Sequence, residues 1–411
     1  MKKYKRIKKC RVCNSKELEP ILNLGKIYIS DFVAKFSNRG KAPLELVLCK
    51  VCNLLQLRHT TEPDLLYKEY WYKSGINETI IADLKDIVSK IEKQVTFKNE
   101  DMVLDIGCND GTLLRLYKNK GLKLVGFEPA LNLIKEAKQG TTKIVPNYFS
   151  YKLFRRYFNN SKAKVITSIA MFYDLDNPNK FVNDITQCLD KDGLWILEMR
   201  YLPLMLEQND IGNVCHEHLE YYSLMSLEKL LEKHGLEVVN IELNSVNGGS
   251  LRAYIKFKGN FPLGYCNVNE LREKEQCSKL DTVEPYIQFA LRVHSIKQKL
   301  YDFIKSEHDL GKTIHVYGAS TKGNTMLQYF GINNNLIEAA AERDSRKFGM
   351  KTIATEIPII SEEESRKRAD YFLILPWHFL NAFIKREKDF LNSGKKLIVP
   401  FPEFKVIEGI K

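Results

Sequence analysis

The chain has 411 residues, more than one core usually fills, so two or three domains are expected, and 44% hydrophobic with 11% aromatic content supplies the burial they need, which excludes a disordered chain. Nowhere do eighteen apolar residues run together, and the basic start MKKYKRIKKC leads into no apolar h-region, so neither a membrane span nor a signal peptide is read and a cytoplasmic location is expected. The formal charge of +12 is scattered along helices among Glu and Asp, with no basic stripe interleaved with aromatics, so solvated faces and a phosphate-bearing small substrate are expected rather than nucleic acid.

Residues 1–75 carry Cys10-x-x-Cys13 and Cys49-x-x-Cys52, with short apolar segments at 18–24, 44–48 and 54–57 too brief to build a core without a staple. Two tight knuckles with four thiolates satisfy a tetrahedral zinc ion completely, so the site is read as structural, and the 35 residues between the pairs must form their own hairpin or loop. Nine cysteines are too dispersed for a secreted disulfide scaffold, which points to a reducing compartment. From residue 77 to 95, Ile80, Ile81, Leu84, Ile87 and Ile91 follow a helical period.

Residues 76–265 then alternate: strand 102–106, helix from Gly111, strand 122–127, helix from Ala130, strand near Ile144, strand 164–168, helix about 179–189, strand 194–198. This βαβ series predicts a parallel sheet covered on both faces. A helix over 226–233 and strands 236–243 and 251–257, joined through Asn247-Gly248-Gly249, predict an antiparallel pair closing the sheet, as in class I methyltransferases by analogy. The segment 269–308 reads as a long charged helix broken near Pro285, and a second α/β unit follows, with strands 314–317, 336–340, 371–375 and 396–399 and a helix from the Gly318-to-Asn324 turn to Phe330. The fold class is therefore α/β: a Rossmann-like sheet flanked by a small zinc-binding domain (1–75) and a C-terminal Rossmann-like domain (266–411), the two sheets facing each other across a cleft.

Two constellations carry chemistry. Asp105-Ile106-Gly107-Cys108-Asn109-Asp110-Gly111 follows a strand and opens a helix, where glycines let backbone approach a nucleotide-like ligand, and Glu128 ends the next strand, placed to accept two ribose hydroxyls. Cys108, Pro129, Ala170 and Met171 complete the expected cofactor set; Met171 and Phe172 suit an adenine ring or the core equally. The second is V-C-H-E-H-L-E-Y-Y-S at 214–223, where Cys215, His216, Glu217 and His218 gather proton-transfer groups. It is not a zinc-protease helix, because the second histidine of H-E-x-x-H would fall on Glu220. Histidine, titrating near ~6.5, is the natural base. His216 and His218 point alike only if the segment is extended. Tyr72 reads as a neutral donor or a packed aromatic.

The C-x-x-C pairs, V-L-D-I-G-C-N-D-G with G-F-E-P-A, H-E-H-L-E-Y-Y-S-L with G-G-S-L-R, and Y-G-A-S-T-K-G-N with L-P-W-H-F together resemble the sugar-nucleotide C-methyltransferases that act at carbon 3 of 4-keto deoxysugars. The resemblance implies an S-adenosylmethionine cofactor, a structural zinc ion, and a nucleotide-activated keto sugar bound between the cofactor and C-terminal domains. It implies His218 as base, Glu217 as adjacent carboxylate and Tyr72 as the active-site tyrosine; Tyr222, Asn247, Lys322, Asn324 and His378 are read toward the substrate, Lys322 and the helix opening at Asn324 offering a cation and N–H groups to the diphosphate. His378 and Trp377 equally suit a capped core edge, and Gly318 to Asn324 also reads as a plain strand-helix turn. Cys215 and Asn247 depart from the tyrosine and histidine of the family's Y-H-E-H and H-G-G-S, which leaves an O-methyltransferase as the nearest competitor. A nucleic-acid methyltransferase is the more distant one. Asp105, Gly107, Glu128 and His218, all intact, argue against a non-catalytic binder. A monomer or homodimer is expected.

Overall fold

The computed structural model describes residues 4–34, 40–67, 71–259 and 266–409. The expected end of the middle domain at residue 265 and the side chain of Cys266 lie outside the described residues.

The insert between the cysteine pairs is a long antiparallel hairpin, Leu18–Tyr28 against Lys41–Cys49, followed by the short strand Leu55–Leu57. Its sheet has a fourth strand from far along the chain: Glu220–Tyr221 pairs antiparallel with Gln56 and Leu55, so the histidine segment runs directly into the zinc module's sheet. Leu44, Leu46 and Leu48 put one face of this sheet into a core shared with Tyr286, Phe289 and Val293 of the helix Glu284–Asp309, while Cys10, Cys49 and Cys52 pack into the core of the cofactor sheet. The N-terminal module is thus a clasp between the other two parts, fastened again where Phe32–Val33 pairs with Lys351–Thr352.

The cofactor sheet has seven strands in the spatial order Leu236–Asn244, Ser250–Phe257, Leu189–Arg200, Ala163–Ile169, Met102–Ile106, Lys123–Phe127, Lys143–Val145. The last five are mutually parallel and Ser250–Phe257 is antiparallel to its neighbours. Every residue of Met102–Ile106 is buried, as expected of a central strand covered on both faces. Strand order reverses at this strand, where Ala163–Ile169 lies on one side and Lys123–Phe127 on the other, and the crevice at that point is where open sheets bind ligands. The helix Glu78–Gln94 covers one face with Leu84, Ile87, Val88 and Ile91; Asn77 caps it, accepting from the Thr79 and Ile80 N–H groups.

Two predicted helices are much reduced. After Gly111 only Thr112–Arg115 is helical, and the helix expected from Ala130 spans Ile134–Ala137. Pro285 begins a helix rather than breaking one: it stands in the first turn of Glu284–Asp309, where a missing N–H costs nothing. The C-terminal sheet runs Ile359–Ser361, Ala339–Glu342, Ile314–Tyr317, Tyr371–Leu373, Lys396–Val399, Lys405–Glu408. The strand expected at 336–340 is displaced to Ala339–Glu342, because turns through Asn333 take up the preceding residues. The first and last strands, three and four residues long, carry too little pattern to be read from sequence.

Candidate active site

The four cysteine sulfurs lie within 4.8 Å of one another, with Cys10 to Cys52 at 3.5 Å and Cys13 to Cys49 at 3.4 Å. The edge of a Zn–S₄ tetrahedron is about 3.8 Å for bonds of ~2.3 Å, so the donor set fits zinc. The two knuckles repeat one design. In each, an asparagine after the second cysteine takes a left-handed conformation (Asn14 φ 62°, Asn53 φ 59°) and donates its N–H to the first cysteine's carbonyl. Hydrogen bonds from Cys10 and Cys52 pull the Cys49 thiol below the usual cysteine range, and Gln56 Nε2 donates to Cys10 Sγ at 3.2 Å, the kind of outer partner that fixes a ligand. The knuckle carbonyls of Arg11 and Val12 accept from Asn179 Nδ2, and Val12 also accepts from Lys233, which docks the metal site onto the cofactor domain.

A cavity of about 680 Å³ opens above the carboxyl ends of the central strands, within the range of small-molecule sites, and all three parts of the chain line it. On the cofactor side stand Asp105, Gly107, Cys108, Asn109, Glu128, Pro129, Ala170 and Met171. Gly107 has φ 74°, and a Cβ there would come within 3.1 Å of Met171, so glycine is required for the turn and the close approach. Glu128 is buried; its Oε2 accepts from the Asn109 N–H at 2.8 Å and its Oε1 from the Ala130 N–H at 2.7 Å, which orients the carboxylate and leaves each oxygen a further lone pair for a hydroxyl. Burial raises its proton affinity against those two donors. Asp105 is pushed up to about 7 by burial, opposed by the Thr167 hydroxyl donating at 2.6 Å. Gly111 does not reach the cavity: with φ 79° it caps the short helix, and a Cβ would meet the Ala137 carbonyl oxygen at 2.8 Å. Of the pair read two ways, Met171 lines the cavity, whereas Phe172 is fully buried against Phe181, Trp195 and Tyr222.

The histidine segment is bent, not extended. His218 N–H donates to the Cys215 carbonyl at 3.2 Å, so the two histidines diverge. His216 turns into the zinc module, its Nε2 on the Ala42 carbonyl at 3.0 Å, and burial lowers it to about 4. His218 lines the cavity. Its Nδ1 lies 2.9 Å from the Asn213 carbonyl oxygen, which accepts only, so Nδ1 carries the hydrogen and Nε2 is the basic nitrogen. Burial, then the Lys322 charge, holds the ring's proton affinity well below the usual histidine range, so it is neutral. Tyr173 packs edge-on against it at 4.5 Å between centroids. Glu217 lines the same wall, its carboxyl raised by burial and opposed by Lys322.

Tyr72 stands at the mouth, 40% exposed, and its segment is tied to the cofactor loop: Asn109 Nδ2 donates to the Tyr72 carbonyl, and the Ser74 and Gly75 N–H groups donate to Asn109 and Asp110. Desolvation raises its hydroxyl pKa, so the phenol is neutral. Opposite, Ser320 caps the helix Thr321–Phe330 through the Gly323 N–H, and Ser320, Thr321 and Lys322 face the cavity; Lys322 Nζ reaches Asn213 Oδ1 at 3.3 Å. Asn247, at φ 53°, lines the cavity while its carbonyl accepts from Arg200 at 2.6 Å.

Three residues placed toward the substrate by sequence lie elsewhere. Tyr222 is buried in the core, donating to Glu220 at 2.9 Å. Asn324 is buried and occupied, donating to the Ile353 carbonyl and accepting from Thr355. His378 does not line the cavity; burial lowers it to about 4. Sequence reasoning passed over Asn147, Tyr148, Tyr173, Asp174, Arg200 and Asn213, all of which line the cavity. Their position at or just beyond a strand's carboxyl end was the available signal for Arg200 and Asn147; Asn213 carried none.

Three family models match consecutive stretches: a putative zinc-binding domain over residues 10–67, a methyltransferase domain over 76–241, and a C-methyltransferase C-terminal domain over 245–402. A curated relative, C-methyltransferase NovU of Streptomyces niveus, is 29% identical over 409 residues, covering 98% of this chain and 97% of its own. Similar solved structures include a methyltransferase from Clostridium acetobutylicum ATCC 824 (17% identity, TM-score 0.35, 44% of this chain and 92% of that one) and magnesium protoporphyrin IX methyltransferase ChlM from Synechocystis PCC 6803 (14%, 0.34, 44% and 87%). Sheet order, glycine loop and matched domains define an S-adenosylmethionine-dependent methyltransferase, with a zinc-binding module ahead of the cofactor sheet. Within that class the chain is similar over its whole length to C-methyltransferase NovU and matches the three domain models in this order. Among the described residues no helix is long and apolar enough to cross a membrane.

Proposed function

We propose that the carbon methylated is C-3 of a nucleotide-activated 4-keto deoxysugar, with His218 as the general base. The observation that carries this reading is the pairing of a neutral imidazole, its acceptor nitrogen fixed as Nε2 by the Asn213 carbonyl, with a cavity shared between the cofactor loop and the Lys322 helix end. A ketone acidifies the neighbouring C–H bond; His218 removes that proton, and Tyr72 donates to the oxygen on which charge develops. Glu217, beside the base, offsets the imidazolium that forms. The Thr321–Phe330 helix end and Lys322 offer N–H groups and a cation to a diphosphate. Bound S-adenosylmethionine supplies an electrophilic methyl group, held by Asp105, Gly107 and Glu128. The domain limits 1–75, 76–265 and 266–411 and a cytoplasmic setting belong to the same reading.

The test is deuterium at carbon 3 of a 4-keto sugar nucleotide. Active enzyme is expected to wash it out while the product gains one methyl group. Methylated product that retains the label refutes C-3 methylation and favours transfer to oxygen.

A further inference from the structure

Asp174 lies beyond the carboxyl end of the strand Ala163–Ile169 and lines the cavity wall shared with Glu217. Its Oδ1 is fully buried and has no hydrogen-bond partner among the described residues, while Tyr67 provides a hydroxyl contact to the carboxyl. Around it stand Glu217, Glu220, Cys215, Tyr221 and Tyr173, with Lys322 as the cation in range. That single ammonium also faces Glu217 and reaches Asn213 Oδ1. A dry carboxyl beside a second carboxyl, with one oxygen receiving nothing, retains its proton. Asp174 is half-buried and lines the cavity, so the proton it retains, carried on the oxygen other than the sealed Oδ1, is a donor available to what fills the cavity.

We propose that Asp174 stands as the neutral acid in the active protein and donates a hydrogen bond to the substrate oxygen that becomes negative when His218 takes the proton. The proposal rests on the enolate reading above. The proton remains on Asp174 throughout, and no covalent bond to it forms. An apolar site that keeps a carboxylic acid neutral makes it an oxyanion donor, and removal of such a donor costs roughly 10²–10³ in turnover.

Asp174→Asn keeps a neutral donor of the same shape, and Asp174→Ala removes it. On the keto sugar nucleotide, Asp174→Ala is expected to lose roughly 10²–10³ in kcat and Asp174→Asn less than about tenfold. Activity of the wild type is expected to fall on the alkaline side as Asp174 ionises, a limb that Asp174→Asn lacks. Independently of any substrate, the infrared difference between wild type and Asp174→Asn, with carbon-13-labelled aspartate at neutral pH, is expected to show the C=O stretch of a protonated carboxyl in the wild type alone. Only ionised carboxylate bands in that difference, or an Asp174→Asn enzyme as inactive as Asp174→Ala, overturns the proposal. If the stretch is present but the wild type leaves the keto sugar untouched, the enolate reading falls and the oxyanion role with it, while the acid form of Asp174 is supported.

Discussion

Arg252 is 1% exposed, yet its guanidinium is shared by four carboxylates: Nε to Glu198 at 2.6 Å, Nη2 to Asp83 at 2.6 Å, and Nη1 to Asp86 at 2.7 Å and Glu242 at 3.5 Å. Asp83 and Glu198 also hydrogen-bond each other, and both line the cavity. Burial, then the Glu198 charge, pushes Asp83 up to about 8. Arg252→Met keeps the aliphatic stem and deletes the cation that pairs with both of these buried carboxyls. Breaking a buried pair costs about 3–5 kcal/mol, whereas the pairs to Asp86 and Glu242, which are partly exposed, add little. For a domain of this size that is roughly 6–20 °C in melting temperature. The loss depends on pH. Asp83 binds its proton more tightly folded (about 8) than at its ordinary value of 3.8, so between those values the unfolded chain has released a proton that the folded chain keeps, and stability falls as pH rises. Without Arg252 Asp83 moves further up, so the deficit is smallest near the acid end of that window and grows as pH passes its alkaline end. Adding Asp83→Asn removes one of the two stranded carboxyls and is expected to recover part of the loss. Calorimetric melts at both ends of the window read this directly. A variant that melts within about 2 °C of wild type at both refutes the reasoning.

Because burial and Lys322 depress His218, the base stays neutral below the ordinary histidine value of ~6.5, so the acid limb of kcat/KM is expected below that pH and His218→Ala to lose roughly 10²–10⁴ in turnover; a limb at or above ~6.5 contradicts this. Glu128→Ala deletes an oriented carboxylate with lone pairs for two hydroxyls, and titration calorimetry with S-adenosylmethionine is expected to show roughly 10- to 100-fold weaker binding, unchanged affinity being the contrary result. Metal analysis is expected to find one zinc ion per chain. Since Cys10, Cys49 and Cys52 share an apolar cluster with the cofactor sheet, Cys49→Ala is expected to lower the melting of that sheet too, and a melt in which only the N-terminal module loosens goes against the clasp.

Features set by a few neighbouring residues were legible in the chain itself. Two C-x-x-C knuckles, a strand ending in Asp105 before the Gly107 turn, and an acid at the end of the next strand need only local backbone chemistry, and the structure brings all of them together as a sulfur cluster and a cavity wall. Short helices and edge strands were not legible, because four residues carry no period: the Thr112–Arg115 helix and the Ile359–Ser361 strand owe their form to what they pack against.

The choice between His216 and His218 lay beyond sequence, since two residues apart they share a direction or oppose it according to one bend. Tertiary structure made that bend, by pairing Glu220–Tyr221 with the zinc module's strand and so turning one ring into the module and the other onto the Asn213 carbonyl. The same pairing carried Tyr222 into the core, and contacts with Ile353 and Thr355 drew Asn324 away from the cavity. Residue type and spacing determine which chemistry a chain holds, because bonding and backbone preference act over a few residues; which side of a wall each group faces is decided by packing between segments up to hundreds of positions apart.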